Sequence, residues 1–160
     1  MRDNISISRR ELAILFAQVL QAAPEYRPQF FSAEDFAALE SFTEILIPTD
    51  DTPGAREARC AQFIDFYVNA SPAEAKERWR EAMQALRTAG FHTASAAERP
   101  ALVAAMSQEH PAHAAYLLIR QENMFAFFTS KPGTVEFLDY RGNSHNDSFP
   151  ACTHPEHHRV

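Results

Sequence analysis

Histidines near the C-terminus are the residues of this sequence best suited to hold a metal ion. His154, His157 and His158 are clustered, and His145 precedes them as a fourth candidate ligand. Neutral imidazoles are common zinc ligands, and four ligands complete a tetrahedral shell. The alternative is a solvated polar tail, which we favour because the sequence shows no partners that would orient the rings.

A second histidine pair, His110 and His113, has a spacing that could place two imidazoles on one face of a helix. Pro111 lies between them, and a residue before proline is disfavoured in the helical conformation. We therefore expect His110 to lie just outside the helix, which spoils the geometry for a shared metal ion.

Two adjacent acids, Asp50 and Asp51, could form a carboxylate pair for acid–base chemistry. The Thr-Pro-Gly sequence that follows them, residues 52–54, is more typical of a tight loop in which acids bond nearby backbone amides. No nucleophile, base or oxyanion partner accompanies the acids, so the loop is the preferred interpretation. Cys60 is a weaker candidate nucleophile, because it lies on a predicted buried face with no histidine near it in sequence.

Motifs that bind nucleotides or haem, or that expose a catalytic serine, are absent from the sequence. It contains no G-x-G-x-x-G, no phosphate-binding loop, no C-x-x-C-H and no G-x-S-x-G. Only four glycines are present, so a backbone that closely approaches a phosphate is hard to build. We expect this chain to hold no complete catalytic site and no cofactor of its own.

Length and charge narrow the class of protein further. The 160 residues fit one domain, and the formal net charge is −6. Nucleic-acid binding needs a basic surface, so this charge predicts no nucleic-acid partner. The two cysteines, Cys60 and Cys152, could form one bridge if the chain is exported. Alternatively, Cys60 is a core residue and Cys152 is a free or intersubunit thiol.

The N-terminal segment, residues 1–23, has two interpretations. Ser8-Arg9-Arg10 followed by a short apolar stretch and small residues is typical of a twin-arginine export signal. The apolar residues of this stretch also follow the spacing of an ordinary amphipathic helix. Both interpretations stay open at this point.

Five further segments have the apolar period and the end signals of helices. They are predicted near residues 33–47, 55–68, 72–90, 102–106 and 111–131, with Ser32, Ser71 and Ser95 as N-terminal caps. Because no segment alternates like a strand, the predicted fold is all-α, a single irregular domain of about six helices. The helical domain spans 24–139, and a long loop-like C-terminal arm spans 140–160.

Two of these helices carry specific predictions about their faces. In the second of the five, Cys60, Phe63, Ile64 and Tyr67 are predicted to face the core. In the last, apolar residues nearly encircle the C-terminal half, which indicates burial on several sides by the domain itself or by a partner.

Two stretches of the sequence together resemble the gluconate 2-dehydrogenase subunit 3 family. The first is I-L-I-P-T-D-D-T-P-G-A at 45–55, followed by F-I-D at 63–65. The second is F-F-T-S-K-P-G at 127–133, followed by F-P-A-C at 149–152. The order and spacing of the motifs also fit, and the resemblance covers roughly residues 32–152.

The resemblance implies the small subunit of a membrane-associated or periplasmic sugar dehydrogenase. In such complexes a large FAD-dependent flavoprotein oxidises the sugar or sugar acid, and a multi-haem cytochrome c often takes the electrons. The small subunit stabilises the flavoprotein, and its twin-arginine signal can carry the folded partner across the membrane. The expected function is thus a noncatalytic accessory subunit in a heterodimer or larger complex, in the periplasm or alternatively in the cytoplasm.

On this basis the partner is expected to contact the acidic loop and the C-terminal arm. The interface residues are predicted to be Asp50, Asp51, Pro53 and Gly54 in the loop, and Tyr140, Asn143, Phe149 and Pro150 in the arm.

The sequence departs from the family pattern at two positions. Ala151 replaces a glycine before the final cysteine, and Cys60 replaces an aliphatic residue, which permits a bridge to Cys152. Two other functions stay open. A tail histidine could enter the partner's substrate pocket, or the chain could be a stand-alone protein that binds metal through its histidine tail.

Overall fold

Five α-helices and one π-helical segment form the part of the chain that the computed structural model describes, residues 26–142. The elements are α1 (Ala33–Leu46), α2 (Cys60–Ala70), α3 (Ala73–Thr88), α4 (Arg99–Met106), α5 (His113–Thr129) and the π-helical segment Pro132–Phe137. No strand occurs between residues 26 and 142, so the predicted all-α class is confirmed. The predicted N-terminal helix or signal at 1–23 and the arm beyond residue 142 lie outside the described residues.

The start of α1 follows the predicted capping pattern. The Ser32 hydroxyl accepts a hydrogen bond from the Asp35 amide at 3.1 Å and donates one to the Asp35 carboxylate at 2.9 Å. Phe31 and Phe36 flank this cap and are both buried. A polar cap with an apolar contact across it fixes the angle at which the chain enters the helix.

The predicted start of α3 is wrong by one residue. Pro72 precedes the helix instead of occupying its first position, and Ser71 does not cap it. The Ser71 hydroxyl donates to the Tyr67 carbonyl at 2.8 Å, at the end of α2. Only two residues separate the helices, so this serine satisfies an unpaired carbonyl of the first helix instead of an amide of the second.

Ser95 does not cap α4 as predicted, because the N-cap residue is Glu98 and Ser95 begins a turn ahead of the helix. Glu98 accepts from both the amide and the hydroxyl of Ser95, at 2.9 and 2.7 Å. Helix α4 then begins at Arg99, and Pro100 lies in its first turn, where a missing N–H is tolerated. The helix therefore starts four residues after Ser95.

Helix α5 is the centre of the fold, since it contacts every other α-helix and the π-helical segment. Its inner face contributes Ile119 and Phe127 to the apolar core. The other helices and the connection between α3 and α4 supply further core residues: Leu39 and Phe42 of α1, Ile64 of α2, Met83 and Leu86 of α3, Phe91 of the connection and Met106 of α4. Asn123 is fully buried on the same face and donates to the Thr43 carbonyl of α1 at 3.1 Å.

A buried carboxylate fixes the chain ahead of α1 to α2. Asp65 accepts four hydrogen bonds, from the Tyr26 hydroxyl at 2.7 Å and from the amides of Gln29, Phe30 and Phe31 at 2.7, 3.0 and 3.0 Å. Burial, together with the hydrogen bond and the negative charge of Asp65, raises the pKa of Tyr26 to about 12. A buried charge is tolerated only when it is well hydrogen-bonded, and these donors meet that need.

No helix within residues 26–142 has both the length and the apolar character for crossing a bilayer.

Candidate partner interface

The acidic loop after α1 is held by a single glutamate. One carboxylate oxygen of Glu44 accepts from the Thr49 amide at 3.0 Å, and the other accepts from the Arg56 amide at 2.9 Å. The Ala55 amide closes the loop on the Ile47 carbonyl at 2.8 Å. Partial burial alone would raise the pKa of Glu44, but these hydrogen bonds outweigh it and the pKa is lowered. Glu44 therefore gives the loop a fixed shape.

Within this loop one of the two acids, Asp50, bonds a nearby backbone amide, as the loop sequence predicted. Asp50 accepts from the amide and from the hydroxyl of Thr52, both at 2.9 Å, and these bonds lower the pKa of Asp50. Asp50 and Asp51 are exposed, whereas Pro53 is half-buried and Gly54 is buried. The two acids thus present a polar edge to solvent, and Gly54 serves the internal shape of the loop.

Helix α2 has a second apolar side that the core does not cover. Cys60 and Ile64 are buried as predicted, but Phe63 and Tyr67 are 38% and 49% exposed, so their predicted core placement is wrong. Phe66, beside them, is 59% exposed. The inward side is already filled by residues spaced one turn apart, Cys60, Ile64 and Val68, which leaves the other aromatic residues facing outward.

The exposed rings continue from α2 onto α5 and the π-helical segment. Phe63 lies 6.2 Å from Tyr67 and 6.0 Å from Phe125 between ring centroids. On α5, Phe128 is one turn beyond Phe125, and its ring lies 6.0 Å from that of Phe137. We call these exposed rings the aromatic face: Phe63, Phe66, Tyr67, Phe125, Phe128 and Phe137.

The aromatic face is large for a surface of one small domain. Its exposed fractions, from 36% to 59%, sum to nearly three whole rings, or roughly 500 Å² at about 200 Å² per aromatic side chain. The largest apolar patch on a typical monomer is about 300–600 Å² and is often functional. Met124 of α5, Val135 of the π-helical segment and Leu138, directly after that segment, are also at least 39% exposed.

Charged side chains are nearly missing from this part of the surface. Within Cys60–Ala70 the one charged residue is Asp65, which is buried, residues 123–130 contain none, and the π-helical segment has one exposed acid, Glu136. The centres of protein interfaces are likewise depleted in charge and enriched in aromatic residues. The composition of the aromatic face is therefore that of an interface centre.

Partly buried polar groups away from this face hold helices together. Asp35 of α1 contacts the Arg87 guanidinium at 2.6 Å and the His92 ring at 2.9 Å. Burial would raise the pKa of Asp35, but its hydrogen bonds to Arg87, His92 and Ser32 lower it overall. These contacts join α1 to the end of α3 and to the segment after it.

The histidine pair at the start of α5 is engaged with the backbone. The Ala112 amide donates to His110 Nδ1 at 2.9 Å, and His113 Nδ1 lies 2.9 Å from the Met106 carbonyl. As expected, His110 lies outside the helix. Within residues 26–142 no three His, Cys, Asp or Glu side chains are grouped to hold a metal ion. The candidate ligands His145, His154, His157 and His158 lie outside the described residues.

Cys60 occupies the first position of α2 and is completely buried. Burial, with a contribution from the charge of Glu44, raises the pKa of its thiol to about 12. A thiol in this environment is a poor nucleophile at neutral pH. Cys152 lies outside the described residues, so the bridge between the two cysteines stays a prediction.

The arm is represented in the structure by its first residues. Tyr140 is 51% exposed, and its amide donates to the Thr134 carbonyl at 2.9 Å, which holds it beside the π-helical segment. Asn143, Phe149 and Pro150 lie outside the described residues, so their role at the interface stays a prediction.

Sequence reasoning missed most of the aromatic face, although one signal for it was present. The apolar residues around the C-terminal half of α5 indicated burial by more than one neighbour, and Met124, Phe125 and Phe128 are the ones the domain leaves exposed. On α2 the signal is the run of aromatic residues Phe63, Phe66 and Tyr67. It indicates a second apolar side only when the residues that fill the core are already known.

Of the comparisons with known proteins, the one with family models gives a match. A family model described as gluconate 2-dehydrogenase subunit 3 matches residues 33–144, which include α1 to α5, the acidic loop and the whole aromatic face. No curated protein and no solved structure matches the chain. The family match covers more than half of the sequence, and the chain therefore belongs to the gluconate 2-dehydrogenase subunit 3 family.

Proposed function

We propose that this chain is a noncatalytic accessory subunit of a sugar or sugar-acid dehydrogenase complex, and that its aromatic face docks on the large FAD-dependent subunit. The observation that carries this proposal is the aromatic face itself, a surface of exposed rings on three elements that has no exposed charge on its α2 and α5 parts. Family membership supports the kind of complex, since the family is named for one subunit of a gluconate dehydrogenase.

The aromatic face is large enough to contribute much of the binding free energy, but it is too small to form a stable complex by itself. Burying roughly 500 Å² of apolar surface contributes about 12 kcal/mol at 25 cal/mol per Å². Association costs a comparable amount, about 4–15 kcal/mol, so a polar rim has to add to the aromatic centre. The acidic loop with Asp50, Asp51 and Pro53 and the arm with Tyr140, Asn143, Phe149 and Pro150 are the proposed rim.

Accessory action follows from binding alone. A chain that binds the folded flavoprotein and not its unfolded form stabilises the folded form by mass action. The polar groups of the fold also support this role, because Glu44, Asp65 and Asp35 are already committed to holding loops and helices together.

In this proposal the FAD belongs to the large subunit, and haem c belongs to a cytochrome subunit that accepts the electrons.

The Ser8-Arg9-Arg10 sequence supports export of the folded pair to the periplasm. Cell fractionation of the Arg9→Lys/Arg10→Lys variant tests this route. Unchanged periplasmic dehydrogenase would contradict it.

The docking proposal is tested by co-expressing the chain with its large subunit and measuring assembly by co-purification. Phe125→Asp places a charge at the centre of the aromatic face, and we expect it to abolish the complex because a buried unpaired charge is costly. Gln84→Asp on the exposed side of α3 is the matched control and is expected to leave assembly unchanged.

Circular dichroism of the isolated variants shows whether both remain folded. If the Phe125→Asp chain is folded and still assembles like the wild type, the aromatic face is not the interface. If assembly persists but turnover is lost, the chain contributes to the active site and is not a mere accessory.

A further inference from the structure

A groove runs along the edge of the aromatic face, between α5, the end of α1 and the π-helical segment. Its volume is about 360 Å³, which is enough for a large apolar side chain. Residues that line it include Ile47, Tyr116, Arg120, Met124, Phe128 and Phe137. The groove therefore continues the aromatic face and combines apolar walls with one cation.

The wall formed by the π-helical segment is fixed by close packing. Gly133 lies against the Phe127 carbonyl so tightly that a Cβ at this position would be 2.0 Å from the oxygen. The Ser130 hydroxyl donates to the Phe127 carbonyl at 2.6 Å and accepts from the Gly133 amide at 3.0 Å. Phe137 is thereby held 5.7 Å from the ring of Phe127. A groove with fixed walls loses little freedom when a partner enters it.

Arg120 differs from several other arginines of the fold. Arg80, Arg87 and Arg141 each pair with a carboxylate. Across residues 26–142 no carboxylate pairs with Arg120, which is exposed at the groove. An arginine beside aromatic side chains is a frequent energetic centre of interfaces, because its planar guanidinium binds a carboxylate through two hydrogen bonds.

The positive charge of Arg120 is opposite in sign to the net charge of the chain. The chain carries a formal net charge of −6, so an approaching acidic surface is repelled in general. A single carboxylate that arrives together with an apolar side chain finds its one favourable partner at the groove. The recognised feature is thus an apolar residue with an acid next to it.

From these observations we infer that the groove receives an apolar side chain of the large dehydrogenase subunit, with a neighbouring carboxylate of that subunit paired to Arg120. This inference rests on the proposed function. It adds a specific recognition element to it, which determines the register of docking as well as the affinity.

The test uses the co-expressed complex and the affinity of the purified large subunit for variants of this chain. Arg120→Glu is expected to weaken binding about tenfold or more, and Arg120→Lys is expected to weaken it less because the charge is kept. The control Arg27→Glu makes the same change in charge at an exposed position outside the groove, and its affinity should stay within about twofold of the wild type.

Two results would overturn the inference. In the first, Arg120→Glu and Arg27→Glu both bind with nearly wild-type affinity while Phe125→Asp abolishes binding. The aromatic face would then remain the docking surface, but the groove would have no part in it. The other is an equal, large loss for both arginine variants, which would indicate only general electrostatic attraction. If Phe125→Asp also binds normally, the proposed function itself fails.

Discussion

Individual side chains hold this fold together by reaching backbone groups that are distant in sequence. Glu44 spans the acidic loop and Asp65 gathers three consecutive amides and a phenol. In the sequence Asp65 was visible only as part of the family motif at 63–65, and Glu44 had no signal at all. Both roles depend on where a loop returns, which the local pattern of residues does not specify.

Gly54 shows a steric requirement of the same loop. A Cβ at this position would lie 2.4 Å from both the amide nitrogen and the hydroxyl oxygen of Thr49, and 2.7 Å from the Pro48 carbonyl carbon. We expect Gly54→Ala to lower the free energy of unfolding by about 1–3 kcal/mol, because the loop must open to admit the methyl group. Urea unfolding followed by circular dichroism measures the change.

Shortening the Thr49 side chain is the control for the Gly54→Ala variant. Thr49→Ala removes the hydroxyl but leaves the backbone contacts, so the double variant should be no more stable than Gly54→Ala alone. Full rescue in the double variant would show that the hydroxyl, and not the backbone, creates the conflict.

At the scale of the elements, the sequence predicted the positions of the helices better than it predicted which side of each helix is buried. Ser32 caps α1 as expected, whereas Ser71 bonds the preceding helix because the connection is too short to serve both. Phe63 and Tyr67 fit a helical period but lie outside, since periodicity alone does not choose between two apolar sides. The π-helical segment had no sequence signal, because it follows from the contact of Gly133 with Phe127.

The two apolar sides of α2 should differ sharply in their contribution to stability. Ile64 is 1% exposed, so Ile64→Ala is expected to lower the free energy of unfolding by about 2–4 kcal/mol through lost burial and a cavity. Phe66 is 59% exposed, so Phe66→Ala should change it by at most about 0.5 kcal/mol. Denaturation midpoints of the isolated chain give both values, and a comparable loss for the two variants would contradict the outward placement of Phe66.

For the whole molecule, the carboxylates that connect the helices make the free energy of unfolding depend on pH. Asp35 joins α1 to α3 and Glu44 joins α1 to the loop before α2. Burial acts to raise the pKa of each carboxyl, but their hydrogen bonds lower both below the ordinary values of 3.8 and 4.5. A depressed folded-state pKa gives stability that is complete above the unfolded-state pKa and is lost as the pH falls through the folded-state pKa.

We therefore expect the free energy of unfolding to be flat near neutral pH and to fall as the pH drops below about 4.5. Glu44→Gln should be less stable than the wild type at pH 7 and should lose less stability between pH 6 and pH 3. Urea titrations at fixed pH values measure this difference. Parallel curves for the two proteins would show that Glu44 is not one of the groups responsible.

Under the proposed export, the four hydrogen bonds to Asp65 limit where a leader could be cleaved from the chain. They begin at the Tyr26 side chain and include the amides of Gln29, Phe30 and Phe31. A cut ahead of Tyr26 would leave all four hydrogen bonds in place, while a cut between Tyr26 and Gln29 would remove the phenol. The latest cleavage that keeps the whole set is therefore the one directly before Tyr26.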